Sequence, residues 1–571
     1  MSRPIRFAIA FFAAMLAADT VLAQARSAAG AYLAGRQAIR DSDYASAAMF
    51  YTQALARDRG NADLMEETVL AQLYLGRVDR ALPIARIMEE RSLRSQAAHM
   101  ATVVDLLQRE NYEGYLARDP ETQGIVPLVD MLLEAWSLFG VGDVEAGIAA
   151  FDNVAEQAGL KGFATYHKAL ALAVSGDFEA AAGIFENDEE AAALQTRRGV
   201  MARAEILSQL GSNEDALAIL RNAFGEATDN ELTAMTTALE AGETLPFTHA
   251  ASVSDGVAEV FYSVAGALQN EAGANYSLLF GRLARYMRPN HVDATLLNAE
   301  LLEELGQYDL AIAEYKGVSA SHPAFHAAEL GRVAALRESG KPDAAIEALE
   351  QLANRFPELP VVHSTLGDVL RQQEDYADAI GSYDRALELT GDTAQSVWFL
   401  LYARAISYER LGRWDEAEAD FRKALALNPG QPQVLNYLGY SLVEKQINLE
   451  EALRMIEEAV AGSPDSGYIV DSLGWVLYRL GRYDEAVVQM ERAVELMPID
   501  PVVNDHLGDV YWAVGRFREA EFQWSRALSF VDEDDPGEAD PVRIRRKLNV
   551  GLDTVLAEEG APPLKVANDD G

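Results

Sequence analysis

Residues 468–498 read Tyr468-Ile-Val-Asp-Ser-Leu-Gly-Trp-Val-Leu-Tyr-Arg-Leu-Gly-Arg-Tyr483-Asp-Glu-Ala-Val-Val-Gln-Met490-Glu-Arg-Ala-Val-Glu-Leu-Met-Pro498. Two helical stretches are legible here. Leu473, Val476, Leu477 and Leu480 share one face of the first. Ala486, Met490, Ala493 and Val494 share one face of the second. Gly481 supplies the left-handed residue that ends the first helix. Asp484 and Glu485 open the second, where the helix dipole favours acids, and Pro498 stops it. Gly474 and Ala486 are small, as two closely approaching helices require. A large side chain at Ala486 is expected to cost roughly 1–3 kcal/mol by overpacking.

The same unit recurs outward in both directions. Alanines at one point of the pattern fall at Ala311, Ala345, Ala379, Ala417, Ala452, Ala486 and Ala520, and prolines keep step at Pro289, Pro323, Pro357, Pro429, Pro464 and Pro498. The period is 34 residues over most of this run. A repeat of that length implies a stack of supersecondary units that each bury their apolar face against neighbours. The N-terminal half carries weaker copies, with Tyr44, Ala47 and Tyr51 in one and Gly176, Phe178 and Ala181 in another. Residues 90–125 and 225–260 fit poorly. The latter, with Gly242 and Pro246, reads as a joint between two arrays.

The motifs Leu473-Gly474, Gly481-Arg-Tyr483, Ala486, Met490, Ala493 and Pro498 resemble the tetratricopeptide repeat. The next copy matches with Leu507-Gly508, Tyr511, Gly515-Arg-Phe517, Ala520, Trp524 and Ala527. The resemblance implies an all-α, right-handed solenoid superhelix of antiparallel helix pairs. The expected division is a signal peptide at 1–23, a degenerate array at 24–224 and a joint at 225–260. A regular array follows at 261–530, then a capping helix and disordered tail at 531–571.

The chain has 571 residues, 49% hydrophobic and 24% charged, which excludes global disorder. Its formal charge of −41 repels phosphate backbones, so nucleic acid is not an expected partner. It contains no cysteine, which excludes disulfides, thiolate metal sites and a cysteine nucleophile. Arg3 and Arg6, twelve apolar residues from Phe7 to Ala18, and small residues at Val21 and Ala23 predict a cleaved export signal. Twelve residues fall short of the ~20 that a membrane span needs. A periplasmic location is expected, with secretion further out and peripheral envelope association left open.

The family resemblance implies that the first helix of each pair lines a concave face that binds proteins or peptides. By register, Tyr402, Asn436, Asp471 and Asp505 are equivalent on that face. Tyr440, Trp475 and Asp509 lie one turn on, followed by Glu409, Tyr478 and Trp512. Aromatic platforms with polar tips suit peptide recognition; the competing reading is that Trp475 and Tyr478 pack against the next repeat. Asp471 and Asp505 stand where a carboxylate clamp would want lysine, so an apolar ligand, or a basic one with apolar anchors, is expected. Over roughly 255–565 the chain is similar to envelope tetratricopeptide proteins of proteobacteria. Some of these deliver substrates to a periplasmic carboxyl-terminal processing protease. That resemblance implies an adaptor role. The alternative is an assembly factor for a secretion, pilus or polysaccharide-export machine.

No phosphate-binding loop, His-Glu-x-x-His pair or Gly-x-Ser-x-Gly elbow occurs. His322 and His326 are four apart, but Pro323 between them argues against a shared helix face for a metal. Asp505, His506 and Asp509 form a compact acid–histidine cluster, read as groove polarity or capping rather than proton transfer. No cofactor, metal or enzymatic activity is expected. Arg543, Arg545, Arg546 and Lys547 form a small basic cluster, either a solvated helix face or a contact for anionic lipid or an acidic partner.

Overall fold

The computed structural model describes residues 28–186, 196–225, 229–269, 271–390, 394–532, 539–561 and 564. The expected signal segment and most of the C-terminal tail lie outside these residues. Among the described residues the fold is all-α, a succession of antiparallel helix pairs with no strand. It divides into two compact units, 1–348 and 349–571. This break falls inside the helix Pro342–Arg355. Within 225–260 the chain forms the helix Asn230–Glu240, an irregular stretch, and the start of the helix Val253–Leu268.

The pairs form where local signals place them. Asp43, Asn111, Asp143 and Asp177 cap second helices by accepting a hydrogen bond from a backbone N–H in the first turn. Gly481 sits at φ 78° and closes the helix Gly467–Leu480. The small–large pairing is equally local. A Cβ at Gly474 would meet Met490, and one at Gly508 would run into the Trp524 ring. Each first-helix glycine thus admits the large residue sixteen positions on, in the second helix of its own pair.

In the second unit the core is continuous. Phe421, Ile456, Met490 and Trp524 repeat along the second helices, and Leu438, Leu473 and Leu507 face them from the first. The last pair is followed by two short helices, Pro541–Val550 and Leu552–Glu558, where the sequence suggested one. The break is at Gly551, whose φ of 82° and lack of Cβ let the Trp512 ring lie against the backbone.

The first unit departs from a simple stack. The helices Val253–Leu268 and Ala274–Met287 pack against earlier first helices: Ala62–Tyr74, Gln96–Gln108, Pro127–Gly140 and Lys161–Val174. Arg282 Nε donates to the Tyr74 carbonyl at 2.9 Å. The Tyr166 hydroxyl donates to Glu259 at 2.8 Å. The Trp136 ring fills the space that a Cβ at Gly256 would take. Helix Gln96–Gln108 is consequently buried on nearly every side. The chain therefore covers this face of its N-terminal array with its own helices.

Candidate functional site

The second unit leaves part of its first-helix face open. A cavity of about 550 Å³ is bounded there by four successive first helices, the last of them Pro501–Ala513 with Val502, Val503 and His506. Glu409 comes from Ala394–Arg410, Asn436 and Tyr440 from Pro432–Glu444, and Tyr468 and Asp471 from Gly467–Leu480. The register that placed Glu409, Asn436, Tyr440 and Asp471 on the first-helix face thus brings them to one cavity. Tyr468 is 49% exposed at its edge, while Asn436 is only 8% exposed. The Asn436 Oδ1 is buried without a hydrogen-bond partner among the described residues. A buried, unpaired amide oxygen costs about 1–3 kcal/mol and offers an acceptor to any donor that enters.

The other register positions have different fates. Tyr402 packs among Phe421 and Tyr437, with ring centroids 6.1 Å from each. Trp475 is half-buried and stacked between Tyr478 and His506, at 4.9 and 4.1 Å. Its indole N–H donates to Glu444 at 3.0 Å. Tyr478 is 8% exposed, so it belongs to the packing of the last repeats and not to an open platform. His506 Nδ1 lies 3.0 Å from Asp471. Burial pushes the His506 pKa down, but Asp471, Asp505 and Asp509 together pull it above its ordinary value. Asp471 is thereby engaged by an imidazole, not aimed at a ligand.

Asp505 and Asp509 are closed off. Lys547, fully buried, places its Nζ 2.6 Å from Asp505 and 2.5 Å from Asp509, and lies over the Trp524 ring at 5.4 Å. Asp509 also accepts from the Trp524 indole at 2.9 Å. Burial and the Asp509 charge push the Asp505 carboxyl up from the ordinary range, against the pull of Lys547. Trp512 turns to the helix Leu552–Glu558, donating to Asp553 at 3.0 Å. These acids and Trp512 are the seat of the terminal helices, a correction to their placement on an open groove.

The basic cluster is corrected for the same reason. Lys547 points inward. Arg543 binds Glu559 at 2.8 Å and Arg546 binds Glu558 at 2.5 Å, while Arg545 is exposed. Most of this charge is spent on neighbouring acids, so the cluster is neither a uniformly solvated face nor an unpaired lipid-binding patch. His322 precedes the helix Phe325–Glu338 that carries His326, as Pro323 foretold. His322 accepts from the Ala324 N–H and His326 lies against Asn230. Among the described residues no helix is long and apolar enough to cross a membrane.

Sequence profiles of the tetratricopeptide repeat match residues 132–195, 328–358, 358–430, 402–466 and 469–497. The chain carries tetratricopeptide repeats. Beyond the profiles, it is 28% identical over 193 residues to a TPR repeat-containing protein of Pseudomonas aeruginosa, covering 34% of this chain. It spans about a third (32%) of that relative's length. Among solved structures, a tetratricopeptide repeat protein from Parabacteroides merdae aligns over 46% of this chain and 98% of its own, at 14% identity and a TM-score of 0.38. The Cut9 and Hcn1 hetero-tetramer of the APC/C aligns over 93% of this chain and 98% of the matched chain, at 16% identity and a TM-score of 0.37. Tetratricopeptide repeats are protein-interaction scaffolds, and that coarse role applies to this chain.

Among the residues of the open cavity that sequence reasoning missed are Tyr468, Ser441, Glu444 and Met497. Tyr468 carried a signal: it opens a first helix, one turn before Asp471, on the same helical face.

Proposed function

We propose that the C-terminal tetratricopeptide array is a non-enzymatic adaptor that receives an extended segment of a partner protein across Asn436, Tyr440 and Tyr468. The observation that carries this reading is the buried, unpartnered Asn436 oxygen at the floor of an open cavity. A peptide N–H satisfies it, and an apolar side chain lies on the flanking tyrosines and Met497. Glu409, Glu444, Asp471 and Asp500 outnumber Arg410 and Lys445 in the lining, which favours basic residues in the same segment. The export-signal pattern expected from Arg3, Arg6 and the apolar run Phe7 to Ala18 supports a periplasmic setting. The resemblance of residues 255–565 supports presentation of clients to a processing protease.

A photo-crosslinking amino acid at Tyr468, exposed at the cavity edge, tests this in intact cells. Adducts with a periplasmic protease and its clients are the expected result. Adducts confined to fixed subunits of one envelope complex would make the protein an assembly factor instead. No adduct at Tyr468, with ready adducts elsewhere, would end the groove assignment.

A further inference from the structure

A second cavity, of about 300 Å³, lies in the first unit among the helices Arg197–Gln209, Asn230–Glu240 and Val292–Glu304. His249, in the irregular stretch before Val253, lines it and is 4% exposed. Its Nδ1 sits 2.8 Å from Glu205 Oε2. Glu205 also accepts from the Thr248 backbone N–H at 2.8 Å and the Thr248 hydroxyl at 2.6 Å. Burial pushes this carboxyl up, but His249 and Thr248 more than offset that and hold it below its ordinary range. An ionised carboxylate only accepts, so Nδ1 carries the ring proton and donates. Nε2, on a side chain that lines the cavity, is buried and without a partner among the described residues.

The lining selects what can meet it. Two guanidiniums are present, and both are spent. Arg198 donates from Nε and Nη2 to Glu259 at 2.7 Å each, and its Nη1 binds Asp293. Arg288 donates to the carbonyls of His249 at 2.8 Å and Thr248 at 3.0 Å. Three carboxylates, Glu205, Glu231 and Asp293, stand against those two cations among the described lining residues. Glu231 is itself held by Arg197 at 2.9 Å and Asp293 by Arg198, so neither guanidinium of the described lining is left unpaired to draw an anion. Met201, Met235, Leu245 and Pro246 give an apolar wall wide enough for a short aliphatic stem.

We propose that this cavity receives a primary alkylammonium group, whose N–H donates to His249 Nε2 while its stem lies on Met201 and Met235. The site is independent of the open cavity in the second unit. A lysine side chain of a bound protein and a free aliphatic amine share this chemistry.

The test uses the full chain labelled at the methionine methyl groups, with three probes: n-butylammonium, butyrate and a capped Gly-Lys-Gly tripeptide. Saturable shifts of the Met201 and Met235 methyl signals with butylammonium, and none with butyrate, are expected. The tripeptide binding at least as tightly assigns the site to lysine side chains; butylammonium binding alone assigns it to free amines. His249→Phe should weaken binding at least tenfold. Because that variant strands Glu205, Ala234→Trp serves as a second block. Ala234 is exposed at the cavity wall, and its replacement leaves the Glu205–His249 pair intact. Binding of butyrate instead, no binding of either ion, or unchanged affinity in both variants overturns the proposal.

Discussion

Lys547→Met isolates the seat of the terminal helices. The substitution keeps the aliphatic stem but removes a fully buried ammonium held at 2.6 and 2.5 Å by two carboxylates. Asp505 and Asp509 are then left facing each other away from water, with Arg543 Nη1 3.5 Å from Asp509 as the nearest remaining cation on that helix. Breaking a buried pair from one side costs about 3–5 kcal/mol, because the partner charge is stranded. That is a large fraction of a typical ~5–15 kcal/mol total. In a repeat stack the loss falls on the elements in contact, so it concentrates on Pro541–Val550 and Pro501–Ala513. Amide exchange read by mass spectrometry on peptides from those helices should speed up by about two to three and a half decades, with the repeats before 430 unchanged. Lowering the pH should shrink the defect, since Asp505 is already pushed towards its neutral form. The triple variant Lys547→Met, Asp505→Asn, Asp509→Asn should recover most of the loss, as an uncharged buried set carries no stranded charge. A cost below about 1 kcal/mol for Lys547→Met, or a triple variant no better than the single, would refute the reasoning.

Other perturbations probe other parts of the chain. Gly508→Ala should cost about 1–3 kcal/mol in urea unfolding, because the new Cβ meets the Trp524 ring; a neutral effect would show that the helices can separate freely. His167 is fully buried, accepts from the Trp136 indole at 3.3 Å, and burial holds its pKa at about 4. Its depressed value means that the unfolded chain takes up a proton first. Stability is lost as pH falls from about 6.5 towards 4, by roughly 3 kcal/mol in all, and His167→Gln should flatten that slope in urea midpoints. His506 has the opposite sign. Its raised pKa contributes stability that is fully present below its unfolded value and lost as pH rises through the folded one. Asp471→Asn should therefore move the His506 ring titration downwards by NMR. Asn436→Ala should weaken crosslinking from Tyr468 about five- to tenfold while helix content is unchanged, in line with one lost hydrogen bond.

What the sequence made legible was local. Gly481, Pro498 and the alanines at 34-residue steps each report on contacts within one helix pair, and the pairs form as read. Asn436, Tyr440 and Glu409 share a cavity because one register runs through successive repeats. Lys547 was not legible, since its partners lie 38 and 42 residues away. A lysine among arginines reads as solvent-facing until the fold turns it inward. Tyr478 and Trp475 look alike in register, yet the terminal helices bury one and half-expose the other. The packing of 253–287 on much earlier helices is equally long-range.

That packing also separates the two units by what each can offer a partner. A first-helix face binds only where its own chain leaves it uncovered. In the first unit Arg282, Tyr166 and Gly256 fasten 253–287 onto that face through buried polar contacts and close ring packing. Displacing those helices would strand Glu259, which is fully buried and held ionised, against the cost of burial, by Arg198 and His291. Such a stranded charge costs about 3–5 kcal/mol, which weakens any peptide that displaces those helices by about two to four orders of magnitude. On the proposed adaptor reading, peptide capture therefore falls to the second unit. There, between the Ala394–Arg410 helix and the Lys547 seat, Asn436 still has an unpaired oxygen to offer.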